Sequence, residues 1–324
     1  MKKIVFVLLP VLIFTLCFSG CINDGKIKLT VNEVTHSIFY APFYAAINNG
    51  YFLEENIEIE LINGGGSDKS MTALLSGQSD IALLGTETAV YVLNEGRSDH
   101  AVIIAQLTKK DGSFLLGKTP DSDFSWEDLR GKSIIGGRKG GMPQMMLEYA
   151  MRKNGIIPGV DATVRTDVSF DLMGGAFIGG EDDYVALFEP VASTMELANE
   201  GYIVSSIGQA SGNVPYTCFM CLNSYIDKSP DTVDAFLRAI KKGQNFISTA
   251  SVDDIVTAIS PSFPDNDEKL LKTVINRYKE IDVWNNDISM NEEDYNRLIQ
   301  IITEAGIITT SPNFDAITAE EFWK

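Results

Sequence analysis

The feature that most constrains this chain is that it repeats itself. Residues 71–89 (MTALLSGQSDIALLGTETA) lie over residues 174–192 (GGAFIGGEDDYVALFEPVA) without a gap, 103 positions further on. Five of the nineteen positions are identical: Ala73 and Ala176, Gly77 and Gly180, Asp80 and Asp183, Leu84 and Leu187, Ala89 and Ala192. The order of signals matches too: helix, stopping glycine, turn aspartate, four-residue apolar strand, second helix start. Upstream, residues 28–34, Pro42 and Gly50 are echoed by residues 132–135, Pro143 and Gly155. Two β-loop-α-β-α-β runs predict two similar α/β lobes facing each other.

Within the first copy, Gly64-Gly65-Gly66-Ser67 is a glycine turn with Ser67 placed to cap a helix over residues 69–76. A strand over 81–84 runs into Gly85-Thr86, where a second cap starts a second helix. Both helix starts then face one side of a sheet, at the carboxyl ends of its strands, where open α/β sheets bind small ligands.

Composition narrows the partners. The 324 residues carry a formal net charge of −18, a surface that repels nucleic acid and anionic headgroups. Four cysteines are too few for a disulfide framework. Cys218 and Cys221 form a CxxC in an apolar strand-like run, where residues three apart point to opposite faces. With His36 and His100 the only histidines, the pair reads as two buried thiols, and no metal or cofactor is expected.

The chain opens with Lys2-Lys3, an apolar run over 4–18 and Ser19-Gly20, the pattern of a secretory signal. Phe18-Ser19-Gly20-Cys21 resembles a bacterial lipoprotein cleavage box, with Phe where Leu is usual. That resemblance makes Cys21 the lipid-bearing mature N-terminus, followed by a tether over 21–26. Two or more acyl chains give lasting attachment, at about 0.8 kcal/mol per buried CH₂.

A strand over 27–34 leads to a loop with His36, Ser37, Phe39 and Tyr40. Pro42 begins a helix that Gly50 closes. In the second copy Gly136-Gly137-Arg138-Lys139-Gly140-Gly141-Met142-Pro143 is the best anion-cradle candidate. It is neither a Walker A loop nor a GxGxxG fingerprint. Glu189-Pro190 ends the strand over 184–188, with the Glu189 carboxylate either facing the cleft or capping the helix. Amphipathic helices are expected over 231–246, 253–259, 267–278 and 291–305, buttressing the first lobe, with Trp284 packed between two of them.

Taken in order, the Tyr40-Ala41-Pro42 and Gly50-Tyr51-Phe52 elements, residues 64–67 and 77–85, Leu129-Arg130-Gly131-Lys132, Phe188-Glu189-Pro190 and the helix after Ser229 carry a resemblance. The chain is similar to solute-binding lipoproteins of ABC importers, in the family that takes up sulfonates, nitrate and thiamine pyrimidine precursors. The resemblance implies a type II periplasmic binding protein fold: two Rossmann-like lobes joined by two crossover strands, with the ligand cleft between them. Lobe 1 is expected to take residues 27–112 and 218–324, and lobe 2 residues 113–217. Contact positions carried over from the family are Ser37, Phe39, Tyr40, Pro42, Gly65, Gly66, Ser67, Gly85, Thr86, Glu87, Gly137, Arg138, Gly140, Met142 and Glu189. Sulfonate and nitrate binders tend to have a Gly-Ser-x-x-His element where this chain has residues 137–142.

The implied function is that of a non-enzymatic, monomeric binding protein on the outer face of a bacterial cell membrane. It would be anchored in the bilayer through acylated Cys21 and deliver its solute to a permease and ATPase. Two carboxylates (Glu87, Glu189) beside aromatic groups favour a heteroaromatic with amino groups, such as a thiamine pyrimidine precursor, over a sulfonate or nitrate. Rival classes are an enzyme that makes the pyrimidine from its own histidine, with His36 as candidate, and a chemosensory or adhesive surface lipoprotein.

Overall fold

The computed structural model describes residues 25–323. The leader and Cys21 lie outside the described residues. Among the described residues no helix is long and apolar enough to cross a membrane.

Among the described residues ten strands form two five-stranded sheets. In chain order they are β1 (Ile27–Glu33), β2 (Ile57–Asn63), β3 (Ile81–Gly85), β4 (Ala101–Thr108), β5 (Ser113–Gly117), β6 (Ser133–Ile135), β7 (Thr163–Arg165), β8 (Tyr184–Phe188), β9 (Tyr202–Ser206) and β10 (Thr217–Leu222). The first sheet runs β2-β1-β3-β10-β4 and the second β7-β6-β8-β5-β9. Each therefore has the same order, with one antiparallel strand inserted between parallel ones. That inserted strand comes from across a crossover: β5 follows β4 into the second sheet, and β10 follows β9 back into the first. β3, β4 and β5 are buried throughout, as strands covered on both faces must be, which explains their largely apolar sequences. The edge strand β2 instead exposes Glu58 and Glu60.

The repeated aspartates do the same job in each half. Asp80 donates its backbone N–H to the Thr30 carbonyl at 3.0 Å and accepts the Thr30 N–H on its carboxylate at 2.9 Å. Asp183 does both with Ser133, at 3.0 Å each. A carboxylate thus satisfies the first exposed N–H of the neighbouring strand and sets the register of the pair.

The two crossovers lie against each other. Val214 and Tyr216 donate backbone N–H groups to the Lys109 and Thr108 carbonyls, and the Thr108 and Thr217 hydroxyls meet at 2.5 Å. Phe39 is wedged beside this seam, against the backbone of Gly112, where an added Cβ would come within 2.3 Å of its ring.

Helix Pro230–Thr249 packs on helix Ala41–Asn48, closely enough that a side chain at Gly243 would meet the Pro42 carbonyl. The C-terminal helices do more than buttress the first lobe. Helix Glu268–Glu280 also packs on helix Val191–Ala198, and helix Glu292–Glu304 on helix Met142–Lys153, both in the second half. Arg277 explains the first contact: its guanidinium joins Glu189 and Glu196 at 2.6 and 2.8 Å. Cys218 and Cys221 are both buried free thiols, and Trp284 is packed, its indole N–H donating to the Phe39 carbonyl at 2.8 Å.

Two capping expectations are corrected. Gly66, at φ 147°, takes the N-cap position and Ser67 is the first residue of helix Ser67–Leu75, with no side-chain cap bond. Thr86 precedes helix Glu87–Asn94, but its hydroxyl turns to the Cys218 sulfur at 3.1 Å. Glycine alone tolerates that backbone at Gly66, so the turn rather than a hydroxyl starts the helix.

Candidate functional site

Between the sheets, at the carboxyl ends of β1, β2, β3, β6 and β8, lies a cavity of about 160 Å³. A cavity of about 150 Å³ holds a benzene-sized ring, so one six-membered ring with small substituents is the scale that fits. Its walls are aromatic: Phe39, Tyr40, Phe188 and Tyr216, with Phe170 nearer the surface. Phe39 makes ring contacts with Tyr40 and Phe188 at 5.5 Å and with Tyr216 at 5.7 Å. Polar and charged side chains also line it: Thr35, Ser37, Asn63, Ser67, Glu87, Arg138, Asp171 and Thr217.

Gly65 and Gly66 from the first lobe and Gly137 from the second bring bare backbone to the rim, all at positive φ. Across the rim Arg138 comes within 3.8 Å of Asp68, both more than half exposed. Deeper inside, Ser37 donates its hydroxyl to the Glu189 carbonyl at 3.0 Å, and Tyr91 donates to the Gly140 carbonyl at 3.0 Å. Each of these contacts joins the two halves of the chain.

Glu87 is the buried carboxyl of the cavity. It is the first residue of its helix, 1% exposed, and its Oε2 has no hydrogen-bond partner. Its carboxyl folds back over Gly85, where an added Cβ would lie 2.0 Å from Oε2. Burial pushes Glu87 up to about 7, against the opposing pull of its own N–H, Arg138 and the Met142 N–H.

The cavity gathers Ser37, Phe39, Tyr40, Gly65, Gly66, Ser67, Gly85, Glu87, Gly137, Arg138 and Met142. Four expected positions do not line it. Pro42 sits in the first turn of its helix, facing Gly243. Thr86 is spent on Cys218. Gly140 bonds to Gln144 and Tyr91. Glu189 is fully engaged: Ser193 donates its N–H and hydroxyl at 2.8 and 2.7 Å, and Arg277 pairs with it at 2.6 Å. Glu189 is thus a structural anion and not a second carboxylate for a ligand. His36 also lies outside the cavity wall, held by Glu33 at 2.8 Å and the Ser262 carbonyl at 2.8 Å and packed on Phe263.

Phe188, Tyr216, Thr217, Phe170 and Asp171 were not anticipated. For Phe188 the repeat held the signal: the register that equates Thr86 with Glu189 also equates Gly85 with Phe188. Tyr216 and Thr217 come from the second crossover, where no local pattern marks them.

Two facing α/β lobes, the same strand order in each, paired crossovers and a cavity at the strand ends define a periplasmic binding protein fold. A family model described as "NMT1/THI5 like" matches residues 38–250, and the chain belongs to that family. A Bacillus subtilis (strain 168) chain named "Putative binding protein YtlA" is 43% identical over 279 residues, 86% of this chain and 84% of that one. Among solved structures, the zinc-bound ligand-binding component of an ABC-type import system from Staphylococcus aureus superposes with a TM-score of 0.73 at 13% identity, over 92% of this chain and 98% of that one. The alkanesulfonate-binding protein SsuA from Xanthomonas axonopodis pv. citri, bound to MOPS, gives 0.71 at 13% identity, over 90% and 97%.

Proposed function

We propose that this chain is the extracytoplasmic solute-binding component of an ABC importer, held on the membrane by acylated Cys21, and that its solute is a small amino-substituted heteroaromatic. Family membership and the two-lobed fold support the binding role. A solute touching both lobes favours their closed arrangement, and closure excludes water from the polar contacts inside. His36, the candidate for self-sacrificing chemistry, is occupied by Glu33 and Ser262 outside the cavity, which favours binding over catalysis.

One observation carries the solute class: an aromatic-walled cavity of single-ring size contains a buried carboxyl with an unpartnered oxygen. A flat ring stacks on the walls while an amino group meets Glu87. A sulfonate or nitrate monoanion would meet aromatic walls and that buried carboxyl. Arg138 offers it little compensation, standing at the rim beside Asp68.

The second reading is a sulfonate or nitrate binder, favoured by the Gly137–Arg138 rim. Calorimetry of the purified protein with an aminopyrimidine and with an alkanesulfonate separates the two. Heat of binding with the aminopyrimidine alone is expected. Tight binding of the sulfonate alone would overturn the proposal.

A further inference from the structure

We propose that Glu87 holds the solute as a neutral carboxylic acid, its O–H and C=O meeting a ring nitrogen and the adjacent amino group, so that binding takes up one proton. The inference rests on the heteroaromatic reading above and adds the protonation state and the edge that is recognised.

The geometry argues for the acid form. Glu87 is 1% exposed, and nothing in the described structure donates to its Oε2. The nearest guanidinium, Arg138, sits at the rim, 3.8 Å from Asp68. The aromatic neighbours of Glu87, Tyr40 and Tyr216, supply little solvation, and with only its own N–H, the Met142 N–H and the distant Arg138 favouring the anion, burying the carboxylate without an ion pair costs several kcal/mol. A protonated carboxyl needs no counter-ion. It also presents a donor and an acceptor about as far apart as the acceptor and donor on the N–C–NH₂ edge of an aminated ring, so two hydrogen bonds form with neither partner charged. Ionised, Glu87 would accept from the amino group but set its second oxygen against the ring nitrogen lone pair.

Of the groups coupled directly to Glu87 none other changes near neutrality; behind Tyr216, burial pushes Asp111 up to about 7 as well, and Glu87→Gln, which leaves Asp111 in place, separates the two. Tyr40 and Tyr216 are held well above the ordinary tyrosine range by burial, and Tyr91, on the same helix, is raised for the same reason. Burial pushes the Cys218 thiol up to about 12. Arg138, with Asp68 beside it, supplies the only neighbouring cation among these groups. Glu87 itself stands at about 7 in the unliganded chain. Rising pH therefore depopulates the binding-competent acid.

The test is calorimetry of the full mature chain with 2-aminopyrimidine, which is uncharged from pH 6 to pH 9. Affinity is expected to be about tenfold weaker at pH 8 than at pH 6 and about 100-fold weaker at pH 9, in proportion to the acid fraction. Titrations at pH 8 in two buffers of different ionisation enthalpy should show uptake of close to one proton. Glu87→Gln, whose amide keeps a donor and an acceptor but cannot ionise, should flatten the pH profile to less than about threefold. Binding that is flat in pH, strengthens with pH, or takes up no proton overturns the inference while leaving the solute class intact. Asp111→Asn, which leaves Glu87 in place, should keep the full pH profile and decides the matter if the Gln variant fails to fold; a profile lost with Asp111 overturns the inference. No binding of 2-aminopyrimidine at any pH overturns both the solute class and this inference.

Discussion

The two lobes carry the same corner and use it for opposite purposes. At the end of β3 the chain reads Gly85-Thr86-Glu87, and at the end of β8, 103 positions on, Phe188-Glu189-Pro190. The first position of each lines the cavity, once as bare backbone and once as an aromatic wall. The second position turns away from it in both: Thr86 to Cys218, Glu189 to Ser193 and Arg277. The first lobe alone has a carboxylate at the third position, buried at the cavity with its Oε2 unpartnered. One step of register therefore decides whether a glutamate lines the cavity or is tied into the scaffold. The buried anion with three donors ties the C-terminal helices to the second lobe. Glu87, with no ion-pair partner and its Oε2 without a donor, is the one proposed to meet a ligand.

Breaking the structural corner should cost most. Arg277→Met leaves Glu189 buried with only Ser193, and is expected to destabilise the protein by about 3–5 kcal/mol in urea unfolding. A loss below about 1 kcal/mol would mean that the pair is no more than a surface contact, and the contrast between the corners would fail.

The functional corner should behave in the reverse sense. Glu87 titrates near its ordinary value of 4.5 when unfolded and at about 7 when folded. The folded state therefore binds more protons between those values, and stability falls as pH rises from about 4.5 to 7, then stays lowered. Glu87→Gln removes that cost. It is expected to stabilise the unliganded protein by up to about 3 kcal/mol at pH 8 and by nothing at pH 4. A gain equal at both pH values would show that the effect is packing and not ionisation.

The shared part of the two corners should respond alike. Asp80→Asn and Asp183→Asn each weaken one charge-assisted backbone bond, for an expected loss of about 1–3 kcal/mol. The Lys132 pair of Asp183 is largely exposed and adds little. A large cost at one aspartate and none at the other would mean that the repeat preserves the residue without preserving its role.

Much of the architecture was legible because local signals and the repeat agreed. Glycine stops, proline starts and apolar strand runs are short-range features, and a duplicated order of them leaves few folds open. Asp80 and Asp183 were visible as identities whose common bond the structure then supplied. The site was legible only in part. The glycine turns and the Phe39-Tyr40 loop were marked by their own composition. Ser67 and Thr86 misled as caps because a glycine backbone and a buried sulfur outcompeted the expected bonds.

By itself, the sequence determined the two-lobe α/β plan, the edge where helix starts gather, and the acidic surface. Which glutamate lines the cavity and which is tied into an ion pair was decided by tertiary structure alone. Glu87 and Glu189 both sit beside a strand end and a helix start. Their difference lies in Arg277, 88 residues from Glu189, and Gly85, whose missing side chain leaves room for the Glu87 carboxyl. Periodicity and capping signals act over a few residues. The partner that neutralises a buried charge arrives from elsewhere in the chain, and only folding brings it there.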